Sequence, residues 1–200
     1  MKKFIHESWL VLVLGIVFAL LLAGTQTQLA DQISQNQQKA LNEAIAAVVP
    51  EIAAVVPEAA KARELTDAQG RPVVAGCRVF RCLNAAKQPV GWAVQASGTG
   101  FVDKIVLVFG LSDDGEKITG LKVIENVETP GLGNKIAEDK WAGQYKGLSA
   151  ARKIVVQKGP AVSARNEIQA ITGATWSSRY VTDIINQAAE KVRPKLNEHR

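Results

Sequence analysis

Cysteine, histidine, proline and methionine are scarce in this chain of 200 residues, which holds 2 Cys, 2 His, 7 Pro and 1 Met beside 16 Gly. These counts exclude a collagen-like, mucin-like or disulfide-dense protein, because each of those classes needs a large share of Gly, Pro or Cys. Charged residues make up 22% and the mean hydropathy is +0.03, which excludes a disordered chain and a protein with many membrane spans. The length favours one folded domain with accessory segments.

The chain also lacks the common metal, haem and nucleotide motifs. Cys77 and Cys82 lie in a C-x4-C spacing, which is not the C-x-x-C-H of c-type haem and is half a zinc site at best, so we expect no metal. His6 and His199 lie near the two ends and do not predict a catalytic pair. The G-x-G at 98–100 lacks the third glycine of a dinucleotide motif and is interpreted as a turn, and residues 131–135 lack P-loop spacing.

Residues 8–30 carry no charged side chain. A helix of about 20 apolar residues crosses the hydrocarbon core of a bilayer, so residues 1–30 predict a short stub and a transmembrane anchor. Lys2 and Lys3 precede this run and Trp9 begins it, which predicts a cytoplasmic N-terminus and an extracytoplasmic, periplasmic-side remainder at the cell (inner) membrane. A cleaved signal peptide is the alternative, although no clear Ala-x-Ala site follows the run.

The net charge of +5 is unevenly distributed. The basic excess lies in residues 71–200, whereas residues 31–70 are predominantly acidic. The spacing of apolar residues predicts a helix over 31–49, followed by a direct repeat of I-A-A-V-V-P-E at 45–51 and 52–58. Because Pro50 and Pro57 interrupt a helix, and two repeats are too few for a solenoid, we interpret 31–70 as a helical stalk, with a docking segment as the alternative.

From residue 76 the apolar pattern takes the period of two that is typical of strands. It predicts strands over 78–83, 90–96, 104–109 and 117–127, joined by turns into an antiparallel meander with one buried face. A short helix is expected over 134–141 and a late strand over 153–156. The last helix, over 177–198, has one continuous apolar stripe. The fold class is therefore α+β: an N-terminal transmembrane helix and helical stalk, then a mostly antiparallel sheet packed with helices over 71–200.

The two cysteines fall in the part of the chain predicted to lie outside the cytoplasm. That compartment favours a disulfide between Cys77 and Cys82. Free thiols and a metal or redox role are the alternatives.

Two short segments rich in small residues lie in the second half of the predicted domain. The first, E-T-P-G-L-G at 128–133, follows a strand, and its Pro130 and two glycines allow close backbone approach to a ligand. The second, I-T-G-A-T-W-S-S at 171–178, opens the last helix with hydroxyl side chains. Such a helix terminus either caps itself or binds an anion such as phosphate, and a turn of Pro and Gly explains the first segment equally well.

The order of these segments resembles the FMN-binding domain family, in which a T-G-A-T motif carries a covalent flavin and an E-T-P-G-L-G motif precedes it. Within it, the chain is similar to the G subunits of Rnf-type electron-transport complexes and to the related C subunits of the Na⁺-translocating NADH:quinone oxidoreductase. The resemblance implies covalent attachment of FMN through a phosphoester to Thr175. It also implies a cofactor-binding site formed by Glu128, Thr129, Pro130, Gly131, Leu132, Gly133, Thr172, Gly173, Ala174, Trp176 and Ser177.

One departure from the family pattern qualifies this resemblance. The family often has an acidic residue six positions before the modified threonine, where this chain has Gln169. If that acid assists recognition by the transferase, modification of this chain is slower. Arg165 is a candidate for neutralising the phosphate, with a solvated surface arginine as the alternative. Trp176 is expected either to stack on a ring or to be buried.

The implied function is electron transfer by a flavinylated redox subunit of an ion-pumping translocase, not catalytic alone. In the complex, electron flow between ferredoxin and NAD⁺ drives Na⁺ or H⁺ transport. Its expected partners are the other membrane subunits, the membrane itself and a flavin transferase for maturation; no nucleic acid is expected. The alternatives are an Nqr-type C subunit, a stand-alone membrane-anchored flavoprotein, and an anchored binding module without a redox role.

Overall fold

The computed structural model describes residues 2–49, 63–64 and 74–198. The chain divides into two compact units, Met1–Ala40 and Leu41–Arg200. A stalk ending near residue 70 was expected, whereas the second unit begins at Leu41. The first copy of the heptapeptide repeat begins inside this unit, and the second copy lies outside the described residues.

Helix α1 runs over Lys2–Val48 and contains the apolar run expected to form the anchor. Among the described residues, one helix is long and apolar enough to cross a membrane. Its candidate span is Val11–Val48, with a mean hydropathy of 1.8 and none of its most apolar window buried. The surface of this helix exposes Leu, Val, Ile and Phe side chains, which are the residues that suit the hydrocarbon core of a bilayer.

The second unit is built on an antiparallel sheet of five strands within the described residues, paired in chain order. The four expected strands are present with bounds shifted by a few residues. A two-residue strand, β1, pairs with β2 at the edge. The strands are β1 Arg63–Glu64, β2 Cys77–Leu83, β3 Pro89–Thr99, β4 Lys104–Leu111 and β5 Ile118–Glu125.

Both faces of this sheet are covered, whereas one buried face was expected. Helix α3, Thr175–Glu198, packs its apolar stripe of Val181, Ile185 and Val192 on one face. On the other face, residues of the last turns of α1 form a second core cluster with the sheet. Strand β4 shows the consequence of this double coverage, since seven consecutive residues of it are buried. In a strand covered on both sides, the side chains pointing to either face are apolar. The second cluster contains Leu41, Ala44, Ile45, Val48, Val49, Phe80, Cys82, Ala93 and Val108.

A pair of glycines lets the end of α1 approach the sheet closely. Gly110 of β4 and Gly120 of β5 are cross-strand neighbours. A Cβ atom on Gly110 would overlap the carbonyl oxygen of Val48, and one on Gly120 would lie 3.0 Å from the Val48 Cα. The Thr119 hydroxyl donates to that same carbonyl at 2.6 Å, so it satisfies a backbone acceptor at the helix end. Residues 41–49 are therefore part of the folded unit.

The structure contradicts the disulfide between Cys77 and Cys82, because both thiols are free and buried. The two residues lie on opposite faces of β2: Cys77 packs in the cluster under α3, and Cys82 in the cluster under α1. Five residues of strand span about 17 Å, far beyond the roughly 7 Å limit for Cα atoms joined by a disulfide.

We expect both cysteines to be present as thiols that react slowly in the folded protein. Burial raises the pKa of Cys77, and it raises the pKa of Cys82 to about 12. Because the reactive form is the thiolate, both groups stay protonated and unreactive near neutral pH, and labelling accelerates only as pH rises or the domain unfolds. Intact mass without reductant should show two thiols that alkylate rapidly in denaturant and slowly in buffer. A mass lower by two hydrogens, with no alkylation, would contradict the free thiols.

The segment between β5 and α3 is largely irregular. The expected short helix over 134–141 is divided into a 3-10 helix, Gly133–Ala137, and a short helix α2, Asp139–Ala142. The late strand β6, Val155–Gln157, pairs in parallel with β7, Glu167–Gln169, which was not expected. Trp141 and Tyr145 attach this segment to the core: both belong to the cluster under α3, and the Tyr145 hydroxyl is hydrogen-bonded to the Thr182 hydroxyl of α3 at 2.7 Å.

Candidate functional site

The E-T-P-G-L-G segment forms a tight loop between β5 and the 3-10 helix. The Thr129 carbonyl accepts hydrogen bonds from the N–H groups of Leu132 and Asn134, both at 3.2 Å. Gly131 has a φ of +75°, a left-handed conformation that glycine adopts without the cost of a Cβ. The segment is thus a turn with Leu132 exposed at its tip and Gly133 buried beneath it.

Glu128, at the start of this loop, is 4% exposed and faces inward. Its Oε1 accepts the backbone N–H groups of Phe101 at 2.7 Å and Val102 at 3.2 Å. Its Oε2 accepts the hydroxyl of Ser177 at 2.7 Å. One carboxylate therefore joins the β3–β4 loop, the 128–133 loop and the first turn of α3.

Helix α3 begins at Thr175, and its first intrahelical bond runs from the Ser178 N–H to the Ala174 carbonyl. The N–H groups of residues 175–177 therefore precede the helical ladder and give this end a partial positive charge. Ser177 and Ser178 use their hydroxyls, on Glu128 and on the Ala174 carbonyl respectively. Among the described residues, the Thr175 hydroxyl has no hydrogen-bond partner, so Thr175 does not cap the helix.

The two motifs meet at a small open cavity of about 110 Å³. Thr175 is half-buried in its wall, and Gly173, with a φ of +82°, brings the backbone within reach of the Leu132 side chain. Eight of the predicted site residues line the cavity together with Phe101. The lining residues are Phe101, Thr129, Leu132, Gly133, Gly173, Ala174, Thr175, Trp176 and Ser177.

Large apolar side chains around the cavity mouth are exposed to solvent. Phe101 is 61% exposed, Trp176 55% and Leu132 45%. This excludes the buried alternative for Trp176, whose ring lies under the Arg179 guanidinium at 5.2 Å. Phe101 was not predicted to belong to the site, because its segment was interpreted as a simple turn. The available signal was the pair Phe101-Val102 in a tight turn, where polar residues are usual.

The other predicted residues lie outside the cavity wall. Glu128 is buried behind it, and Pro130, Gly131 and Thr172 are exposed beside it. Arg165 is also exposed and lies 4.0 Å from the Glu167 carboxylate, which favours the solvated alternative. Gln169 ends β7 with its side chain at the surface.

The domain shares its fold with a solved crystal structure. It superposes on the crystal structure of NqrC from Shewanella oneidensis with a TM-score of 0.55, over 72% of this chain and 70% of that chain, at 22% sequence identity. Residues 100–190 match the FMN-binding domain family, a range that includes the β3–β4 loop, both motifs and most of α3. The α+β fold and the cavity thus belong to an FMN-binding domain.

The more specific family follows from two relatives. The chain is 31% identical over 180 residues to the G subunit of the ion-translocating oxidoreductase complex of Methanosarcina acetivorans, covering 90% of this chain and 89% of that protein. It is 42% identical over 102 residues to the G subunit of the Na⁺-translocating ferredoxin:NAD⁺ oxidoreductase complex of Acetobacterium woodii, and this match spans 50% of the chain and about half, 48%, of that relative. The chain belongs to the family of G subunits of ion-translocating oxidoreductase complexes.

Proposed function

We propose that this chain is the membrane-anchored electron-transfer subunit of an Rnf-type ion-translocating oxidoreductase and that it carries FMN in phosphoester linkage to Thr175. The observation that supports this most is the Thr175 hydroxyl. It is half-buried and without a hydrogen-bond partner among the described residues, and it lies where the two motifs of an FMN-binding domain meet. The neighbouring serines are engaged elsewhere and are poorer acceptors.

The residues present fit a phosphorylated flavin. The N–H groups of residues 175–177 stabilise an anion at the helix terminus, and Gly173 and Ala174 leave the backbone accessible. The cavity of about 110 Å³ is well below the roughly 300 Å³ or more that usually encloses a ligand of this size, so the site holds the phosphate end and leaves the ring near the surface. When bound, FMN supplies reversible electron uptake and release.

The exposed apolar side chains of Phe101, Leu132 and Trp176 provide a surface for an aromatic ring beside Thr175. A shallow surface of this kind gives weak noncovalent affinity. A covalent bond removes the dissociation step, which matters outside the cytoplasm, where a released cofactor is diluted.

The proposed topology places Lys2 and Lys3 in the cytoplasm and the FMN-binding domain on the opposite side of the membrane. The proposed partners are the other membrane subunits of the complex and an extracytoplasmic flavin transferase. No ion pathway is proposed for this chain, because the run at 8–30 has no intramembrane charge. Ion transport, coupled to electron flow between ferredoxin and NAD⁺, is assigned to the assembled complex.

The direct test is co-expression of the full chain with a flavin transferase, followed by denaturing electrophoresis. We expect flavin fluorescence that stays with the band, and an intact mass increased by one FMN less one water. A chain that remains dark while a known flavinylated protein fluoresces on the same gel would refute covalent flavinylation.

A further inference from the structure

A buried niche behind the cavity encloses the Glu128 carboxylate. Two glycines make the space for it. A Cβ on Gly133 would lie 2.7 Å from Oε2, and a Cβ on Gly100 would overlap Oε1. Neither glycine has a left-handed φ, and a Cβ on either one would collide with the carboxylate. At Gly100 it would also lie 2.7 Å from the Asp103 carbonyl oxygen and 2.7 Å from Ile105 Cδ1.

The three donors to this carboxylate come from two segments that are distant in the chain. Phe101 and Val102 belong to the β3–β4 loop, and Ser177 belongs to the first turn of α3. A buried carboxylate is costly unless it is hydrogen-bonded, so the three donors and the helix terminus act together to retain it. Moving either segment away would leave a buried acceptor without its donor.

Each of these two segments also contributes residues to the wall of the cavity. Phe101 donates its N–H to Glu128 and presents its side chain at the cavity mouth. Ser177 is two residues beyond Thr175, in the same helical turn. Glu128 itself does not line the cavity, so its effect on a ligand there passes through these neighbours.

We propose that Glu128 is a positioning residue, which holds Phe101 and the first turn of α3 so that the Thr175 hydroxyl and the apolar cavity mouth are presented together. The effect of Glu128 on flavin attachment rests on the proposed function, whereas its effect on the position of the loop does not. This assignment differs from the expectation that Glu128 binds the cofactor directly.

The test compares Glu128→Ala and Glu128→Gln in the full chain, with Glu190→Ala, which removes an exposed carboxylate from α3, as the matched control. The first readout is amide hydrogen exchange in the flavin-free protein, in a peptide covering residues 98–104. We expect Glu128→Ala to accelerate exchange in this peptide about tenfold or more, with β4 unaffected, because two N–H groups lose a charged acceptor. Glu128→Gln should restore much of the protection, since its amide oxygen still accepts both N–H groups.

The second readout is the rate of covalent flavin incorporation at fixed transferase concentration. We expect Glu128→Ala to slow it about tenfold or more, because misplacement of a reacting group by an ångström has effects of that size. Ser177→Ala, which removes one donor and leaves the rest in place, should give an intermediate rate. It also carries the test if Glu128→Ala fails to fold.

Unchanged exchange at residues 98–104 in Glu128→Ala would overturn the assignment, as would wild-type incorporation rates in a folded Glu128→Ala protein. If the wild-type chain takes up no flavin at all, the proposed function fails. The exchange comparison in the flavin-free protein would still decide whether Glu128 positions the loop.

Discussion

Replacing Thr175 by alanine should abolish covalent flavin completely, with fluorescence at the level of an empty control. The phosphoester needs the side-chain oxygen, and the next two hydroxyls along the helix, of Ser177 and Ser178, are hydrogen-bonded to Glu128 and to the Ala174 carbonyl. The substitution should leave the fold intact, because the Thr175 hydroxyl caps nothing among the described residues and alanine is favoured within helices. In-gel fluorescence and intact mass of the denatured full chain measure the result.

Two further substitutions make this prediction specific. Thr175→Ser keeps an acceptor hydroxyl at the same place and should retain covalent flavin, although at a different rate. Thr172→Ala removes the other threonine of the motif, which is exposed and lies outside the cavity wall, and should also retain it. Covalent flavin that persists in Thr175→Ala, or vanishes only in Thr172→Ala, would show that Thr175 is not the attachment site.

Elements with a strong local pattern were predictable from the sequence. The sequence predicted the type of β2, β3 and α3 correctly, although burial in β2 and β3 does not alternate strictly, because both faces of the sheet are covered. The three-residue strands β6 and β7 were different. A strand of that length shows no measurable period, and its parallel partner is set by long-range packing.

The part of the candidate site that could be predicted is the part that has a local sequence pattern. Thr175 and the 128–133 loop follow from two short motifs and their resemblance to a known family. The role of Glu128 depends on a carboxylate reaching the N–H groups of a loop 26 and 27 residues away, and backbone donors carry no residue type that a sequence could reveal. Its two enclosing glycines, Gly100 and Gly133, have the same appearance in sequence as ordinary turn residues.

The disulfide prediction failed because compartment and cysteine count were used without the strand register. An odd separation along a strand puts two side chains on opposite faces. The predicted strand 78–83 did not include Cys77, so this argument applies only because the observed β2 begins at Cys77. The covered second face was harder to predict, since it required residues 41–49 to be assigned to the domain instead of a stalk.

Replacing Gly110 by valine should displace the end of α1 from the sheet. The new side chain would overlap the Thr119 hydroxyl and the Val48 carbonyl, both of which are fixed by their mutual hydrogen bond. Overpacking of this kind costs about 3 kcal/mol, and undocking would further expose the apolar side chains of residues 41–49. For a unit of this size, that corresponds to a fall in Tm of about 10 °C, measured on the full chain in detergent by near-UV circular dichroism.

Cysteine labelling provides the local readout for this displacement. Cys82 lies in the cluster beneath the end of α1, and Cys77 lies on the opposite face under α3. In Gly110→Val, exposure of Cys82 should bring its pKa down from about 12 and accelerate its alkylation, while Cys77 in the same molecule remains protected. Gly143→Ala is the matched control, since its Cβ would meet no atom within 4 Å and its backbone is already helical. Equal protection of Cys82 in Gly110→Val and wild type, at an unchanged Tm, would mean that residues 41–49 do not cover this face.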